Sequence, residues 1–329
     1  MKAQMRRYRD ESDYWRIRSF LRAIVPLDGR PGGNWQAADF DYWRWHWMRN
    51  VVEREVDDLF LWEAFDDRIV AVLHHGDLGV CHLHVDPADR TEALEEEMIE
   101  TAEADLAVAA NDGGRILYVW TDEDDALRNG ILESRGYENY MSDDVKQHNR
   151  RRLLTSPIPA TPLAAGYAIR SMGEADELPA RSLASWRAFH PGEPDGGCEA
   201  SGAWYRNVQR APLYRRDLDV IVIAPDGTVA SFATCYFDDV SRTGVFVLVG
   251  TAGEHQRRGL AKAAMSEALR RLRWLGAEAA YVSSIEPPAH ALYASVGFTE
   301  VRLAQAWRKW LAPSSPSSSV ASRTEPGAG

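Results

Sequence analysis

Residues 244–275 read GVFVLVGTAGEHQRRGLAKAAMSEALRRLRWL. The apolar run Val245 to Val249 predicts a strand, and Leu260, Ala264, Ala268, Leu269 and Leu272 then recur at helical spacing. In the loop between them, Gln256-Arg257-Arg258-Gly259-Leu260-Ala261, successive backbone N–H groups point into one concavity at a helix start, where the dipole is positive. Gly259 lets a phosphate come close to the backbone, and the small Ala261 keeps the first turn open. Arg257, Arg258 and Lys262 add positive charge at the same spot. The arrangement suits a pyrophosphate, although taken alone it is no more specific than a surface helix cap. A second block, AHALYASVGF at 289–298, follows in the same half and sharpens the reading.

Working outward, the two halves read as a degenerate repeat. Each opens with a short strand, an acidic turn and an amphipathic helix, in MRRYRDESDYWRIRSFLRAIV (5–25) and YAIRSMGEADELPARSLASW (167–186). Each continues with a hairpin, turning at Asp66-Asp67 in the first half and at Asp226-Gly227 in the second. A strand and a long helix come next, then a strand, a short helix and a Gly-aromatic pair: LESRGYENY in one half, LYASVGFTEV in the other. Matching order at five places implies duplication, and the alternation of elements implies an α/β fold around a mixed sheet. The expected organisation is a first domain at 1–154, a Pro-rich linker at 155–166, a second domain at 167–312 and a disordered tail at 313–329. The tail, PSSPSSSVASRTEPGAG, has no means of forming a core.

With both motifs quoted, the second half resembles the GNAT acetyltransferases. Gln256, Gly259 and Ala261 match that superfamily's Q/R-x-x-G-x-G/A signature, and ALYASVGF is similar to its closing A-x-x-LY-x-x-x-GF block. The likeness covers nearly all of residues 166–312. The two-copy plan with a degraded first copy resembles the mycothiol synthase branch of tandem GNAT proteins. The resemblance implies acetyl-CoA as co-substrate, in a cleft between diverging strands of the second sheet. It implies that N–H groups from Arg257 through Lys262 hold the pyrophosphate. Val249, Gly250 and Thr251 would flank the pantetheine, with Val249 and Thr251 polarising the thioester carbonyl. Tyr293 falls where the superfamily commonly places the acid that protonates the departing thiolate. Glu286 departs from the pattern, since many relatives carry a cofactor-contacting asparagine there, and it is given no such contact.

The corresponding residues of the first half do not repeat this chemistry. Its loop, VDPADRTEALEEE, has Arg90, Ala93 and Glu95 where the second half has Gln256, Gly259 and Ala261, and Leu132 stands opposite Tyr293. Glu95, Glu96 and Glu97 suit a solvated helix start and would repel a phosphate. This half is read as non-catalytic, packing against the second sheet and shaping the acceptor pocket.

Other features are less decisive. Asp238, Asp239, Glu254 and His255 are near enough in sequence to be a general base, and Ser283 or Ser284 to order a water, but none is assigned. The Gly/Pro-rich stretch between Trp186 and Trp204 reads as the specificity loop. Trp43, Trp45 and Trp47 alternate beside His46 and are expected to pack in a core or between the halves. His74, His75, His82 and His84 with Cys81 lack any fixed ligand spacing, so no metal is expected.

Composition narrows the class. A 45% hydrophobic, 26% charged chain of 329 residues is globular, with no apolar run of bilayer length and no signal-peptide order at its start, so the cytoplasm is the expected location. Three separated cysteines suit a reducing compartment. Net charge is −11, but residues 1–157 hold 20 Lys+Arg against 32 Asp+Glu, which leaves the second half near neutral. No basic face points to nucleic acid, and nothing sets an oligomeric state. The expected reaction is acetyl transfer to a primary amine of a small molecule, with protein amines, O-acetylation and longer acyl donors also open. The competing class is a regulatory or scaffold module that binds acyl-CoA without turnover.

Overall fold

The computed structural model describes residues 3–54, 58–111, 113–141 and 146–313; most of the expected disordered tail lies outside them. The first half runs β1 (Gln4–Arg7), α1 (Glu11–Asp28), α2 (Ala37–Tyr42) continuing into a π-helical segment (Trp43–Val52), β2 (Leu59–Glu63), β3 (Ile69–Asp77), β4 (Val80–Val85), α3 (Glu92–Asp105), β5 (Val108–Ala109), β6 (Arg115–Asp122), α4 (Ala126–Ser134), β7 (Glu138–Asn139) and β8 (Gln147–Leu153). The second runs β9 (Ala168–Ser171), α5 (Leu178–Phe189), α6 (Ala203–Gln209), β10 (Asp219–Ile223), β11 (Val229–Asp238), β12 (Thr243–Thr251), α7 (Leu260–Trp274), β13 (Ala279–Ser284), α8 (Pro287–Ser295) and β14 (Glu300–Leu311). Both hairpins turn where the sequence places them: Asp67 adopts φ 62° and Gly227 φ 87°.

The two halves share one continuous mixed sheet, in the order β1-β2-β3-β4-β6-β14-β8-β13-β12-β11-β10-β9. Their last strands are exchanged. β14, from the end of the second half, pairs antiparallel with β6 of the first, Ala304 opposite Asp122 through Leu311 opposite Arg115. β8, from the end of the first half, pairs with β13 of the second, Ala279 opposite Leu153 through Ser284 opposite His148. β8 and β14 then pair with each other and close the seam. The sequence of β8, QHNRRRL, is unusually polar for an interior strand. Its arginines reach sideways for acceptors: Arg150 to the Phe298 carbonyl, Arg151 to Glu300, and Arg152 to the carbonyls of Val296 and Pro157.

Each half contains a gap between two parallel strands. β12 and β13 are paired only over Thr243–Val245, opposite Ala279–Tyr281, and β4 and β6 only at Val80–Cys81, opposite Tyr118–Val119. Beyond those residues the strands separate, leaving their facing backbone groups without a ladder partner. β12 also has a bulge: Leu248 lies opposite Thr234 and Phe246 opposite Cys235, so Val247 is the extra residue. Val247 and Leu248 therefore both face α5 and α6, while Val249 faces α7. A bulge re-aims the strand beyond it, and here it does so along the gap.

Two apolar cores sandwich the second sheet. One packs α7 and α8 through Leu260, Ala264, Ala268, Leu269, Leu272 and Tyr293. The other packs α5 and α6 together with Ala37 and Ala38 of α2, so the first half contributes directly to the core of the second.

Candidate active site

α7 begins without a side-chain cap. Gly259 is its N-cap residue at φ 74°, with no side-chain hydrogen bond, so the first N–H groups of the helix lack intrahelical partners. A Cβ added to Gly259 would meet nothing within 4 Å, which leaves space in front of those groups. Arg257, two residues earlier, also has positive φ, 64°. That conformation costs a non-glycine residue about 1–3 kcal/mol and tends to persist at functional sites. Arg257 and Lys262 meet no carboxylate among the described residues, whereas Arg258 leans toward the Tyr167 ring, 5.9 Å from its centroid. Gln256 turns back, donating from Nε2 to the Thr251 carbonyl at 3.3 Å. An open, uncapped and cationic helix start fits a pyrophosphate.

Tyr293 on α8 is 6% exposed and packs edge-on to Phe298, centroids 6.3 Å apart. Its hydroxyl bonds to no group among the described residues, and burial pushes its pKa up to about 12. Tyr293 lies on the same sheet face as α7. Glu286 is the exposed N-cap residue of α8 and makes no ion pair among the described residues.

At the equivalent place in the first half, the loop is occupied from within. Thr91 caps α3 by accepting from the Leu94 N–H. Glu95 is not solvated, as its sequence setting suggests, but fully buried: Arg128 donates to it at 2.7 and 2.8 Å and Arg90 at 2.6 Å. Burial opposes the charge on Glu95, yet Arg128 and Arg90 hold its carboxyl below the usual glutamate range. Arg90 is further fixed by Asp125 at 2.7 Å. Breaking a buried pair strands its partner charge, so Glu95→Ala is expected to destabilise the protein by about 3–5 kcal/mol. Urea unfolding checks this, and an unchanged midpoint would refute it.

The first-half histidines form an internal chain. The Trp35 N–H donates to His84 Nδ1, which places the His84 proton on Nε2, 3.0 Å from His74 Nε2; His74 Nδ1–H then donates to the His75 carbonyl. Every proton in the chain is accounted for with neutral rings. Burial holds His74 and His84 far below the ordinary histidine range. Among the described residues no cluster could hold a metal ion.

A cavity of about 610 Å³ connects the two gaps. One end is lined by Val245–Val247 of β12 and by Tyr281–Ser284 of β13. The other is lined by Trp35, Trp43, His82 and Trp120 of the first half. Loop residues 30–36 of the first half contribute to its wall, whereas no residue between Trp186 and Trp204, the expected specificity loop, does so. That loop folds away instead: Trp186 stacks on His190 at 3.9 Å, and Arg187 bridges Asp195 to Glu254 beside the α7 loop. The three tryptophans divide, as a helical path requires. Trp43 and Trp47 line the cavity, while Trp45 packs against the core of the second half.

The general-base candidates near the motif are engaged or remote. Asp238 is paired with Arg22 of α1 at 2.9 Å, and Glu254 with Arg187 at 3.0 Å. His255 Nδ1 is 3.0 Å from the Tyr167 hydroxyl, and Asp239 is 81% exposed. Three acids line the cavity: Asp39, Asp77 and Asp122. Asp77 is exposed, and Asp122 is paired with Arg302 at 2.8 Å. Asp39 meets no cation among the described residues; its carboxylate accepts the Gln36 N–H at 2.9 Å. Sequence reading passed over Asp39, whose Gln36-x-x-Asp39 spacing signals a helix cap and nothing more.

Residues 184–298, which include both motifs, match the Acetyltransferase (GNAT) family. Solved structures agree in fold over nearly the whole chain. A tandem GNAT protein from the clavulanic acid biosynthesis pathway is 15% identical with a TM-score of 0.64, covering 95% of this chain and 100% of its own. The chain has the tandem GNAT fold, and its second half carries the match to the GNAT family. A GCN5-related N-acetyltransferase from Sphaerobacter thermophilus superposes on this chain with a TM-score of 0.63 at 16% identity, over 94% of this chain and 96% of the other. A GNAT-family acetyltransferase from Colwellia psychrerythraea gives 0.58 at 12%, over 93% and 100%. No curated sequence matches the chain. Among the described residues no helix is long and apolar enough to cross a membrane.

Proposed function

We propose that the chain transfers acetyl from acetyl-CoA to a primary amine of a small molecule, and that the second half alone binds the donor. The observation carrying this reading is the contrast between two equivalent loops: the α7 start is uncapped, with Arg257 and Lys262 unpaired among the described residues, while the α3 start is capped by Thr91 and backed by Glu95. Acetyl-CoA, when bound, supplies an acetyl group activated as a thioester. N–H groups from Arg257 through Lys262 hold its pyrophosphate. Backbone groups of Val249 and Thr251, past the bulge and without a partner strand on the β13 side, flank the pantetheine and polarise the carbonyl. The cavity between the two gaps admits the amine from the opposite face of the sheet.

Tyr293 provides the proton for the leaving sulfur. A general acid contributes roughly 10²–10⁴ in rate. Burial has already raised the Tyr293 pKa to about 12 and so made it a weaker acid, which places Tyr293→Phe at the low end, about 10²-fold. Acetyl-CoA affinity and stability should change little, because the hydroxyl has no partner to lose. Single-turnover kinetics read the chemical step directly, and an unchanged rate there would remove Tyr293 from the mechanism.

A further inference from the structure

We propose that the first half forms the acceptor site of the second: Asp39 receives the acceptor's ammonium and takes its proton, and a ring-bearing body extends into the first half's own gap along Trp35, Trp43 and Trp120. This rests on the reading of the second half as the donor-binding half.

Position supports it first. The Thr243 hydroxyl on β12 donates to Gln36 Oε1 at 2.7 Å, and the Gln36 N–H donates to Asp39. Asp39 is thus tied to β12 close to where the gap opens, and it shares the cavity with Val245–Val247. α2 packs on the sheet face opposite α7. Donor and acceptor would then approach the gap from opposite faces, as direct transfer requires.

Charge supports it next. Of the acids on the cavity wall, Asp39 is the one that is half-buried and, among the described residues, meets no cation. A bound ammonium would supply the missing charge. Burial lifts the Asp39 pKa to about 6, so the group is ionised at neutral pH yet more basic than an ordinary aspartate. The other titratable and charged groups around the same cavity are Tyr42 on its own helix, Arg30, Asp77, His82, His84, Asp122, Arg128, Arg150 and Tyr281. The two histidines stay neutral through burial.

The cavity has the size of a small-molecule site, and its wall has unmet polar atoms. Trp43 Nε1 and Ser284 Oγ are buried without a hydrogen-bond partner among the described residues. Buried polar groups are seldom left so. The His82 and Trp120 rings lie 8° from parallel with centroids 6.4 Å apart, giving flat faces to the far end. Gly76 makes room for that arrangement, since a Cβ there would stand 2.4 Å from His82 Nε2. Flat aromatic walls with scattered polar atoms fit a ring, whether aryl or sugar.

The proton balance closes. The ammonium gives one proton to Asp39, which later passes it to solvent; the nitrogen lone pair forms the N–C bond as the C–S bond breaks; nitrogen loses a second proton to solvent, and sulfur gains one from Tyr293, which solvent reprotonates. Each turnover releases one proton overall.

The test uses the full chain with acetyl-CoA and three amines: 2-phenylethylamine, glucosamine and ethylamine, the last having no ring. CoA thiol release gives kcat/KM for each amine, and calorimetry gives the acetyl-CoA Kd. At least one ring amine should exceed ethylamine by about 100-fold or more, and which one does so distinguishes aryl from sugar. Asp39→Asn, which keeps the capping acceptor, should lower that kcat/KM by about 100-fold or more, abolish its fall below pH 6, and leave the acetyl-CoA Kd within about twofold. It should also melt no lower than wild type at pH 8. A raised native pKa means that stability is lost as pH rises through it, and asparagine does not incur that loss. Trp120→Ala should raise KM for the ring amine by about tenfold while sparing ethylamine. The proposal is overturned if Asp39→Asn retains activity, if ethylamine equals the ring amines, or if a protein that binds acetyl-CoA acetylates none of the three. Absence of acetyl-CoA binding by the wild type would instead overturn the donor-site reading beneath it.

Discussion

A chain carrying Arg258→Glu together with Gly259→Asp should take up no acetyl-CoA in a calorimetric titration that gives the wild type one site. The reasoning starts from the uncapped start of α7. Aspartate tolerates the left-handed conformation that Gly259 holds at φ 74° better than most residues, and a Cβ there meets open space. Its carboxylate can accept the free N–H groups itself, which is what an N-cap aspartate does. The substitution therefore satisfies the helix while occupying the anion's place. Arg258→Glu reverses a neighbouring charge as well. Each charge-assisted hydrogen bond lost removes about 1.5–3 kcal/mol, so losing two or three weakens binding by roughly 10³-fold or more. The melting temperature should hold or rise. Two sites in the wild type would show that the first half also binds the donor, despite the Arg90–Glu95–Arg128 cluster in its loop.

Ending the chain after Thr299 should have a larger effect, yielding no folded protein. β14 would be lost, and it is bonded on both edges, to β6 on one side and β8 on the other. Its removal opens the sheet at the middle and uncovers Leu117 and Val119 of the first half's core along with Trp307's packing partners. The loss exceeds the 5–15 kcal/mol by which a typical protein is stable. Soluble yield and circular dichroism read the outcome; a truncated chain melting like the wild type would mean that the exchanged strand is dispensable. Because the strands cross between halves, the intact chain should also unfold in one transition.

Much of this was written in the sequence where the physics is local. The strand, the loop and the amphipathic helix of residues 244–275 are set by neighbours within a few turns, and so are the hairpins at Asp66-Asp67 and Asp226-Gly227. The departure of the first half's loop from that of the second was legible from Ala93 and Glu95, although the burial of Glu95 was not, since it depends on Arg128 from another helix. The strand exchange was hidden because QHNRRRL has a loop's composition, and becomes a strand through the two neighbours that flank it. Asp39 was hidden for a related reason. Its interest lies in a cavity completed by Val245–Val247, some two hundred residues later, and in the cations that do not reach it.

The exchanged strands also bear on how such a protein can change over generations. A copy without the donor-binding role proposed for the second half would ordinarily be free to disappear. Here, deleting the first copy would take β8 from beside β13 and leave the working sheet without its neighbour at the gap. The first copy is therefore held by architecture as well as by the acceptor site proposed for it, and wall positions outside that site are free to accumulate substitutions. On the proposed division of labour, a tandem chain built this way can diversify in what it acetylates through the half that does not hold the donor.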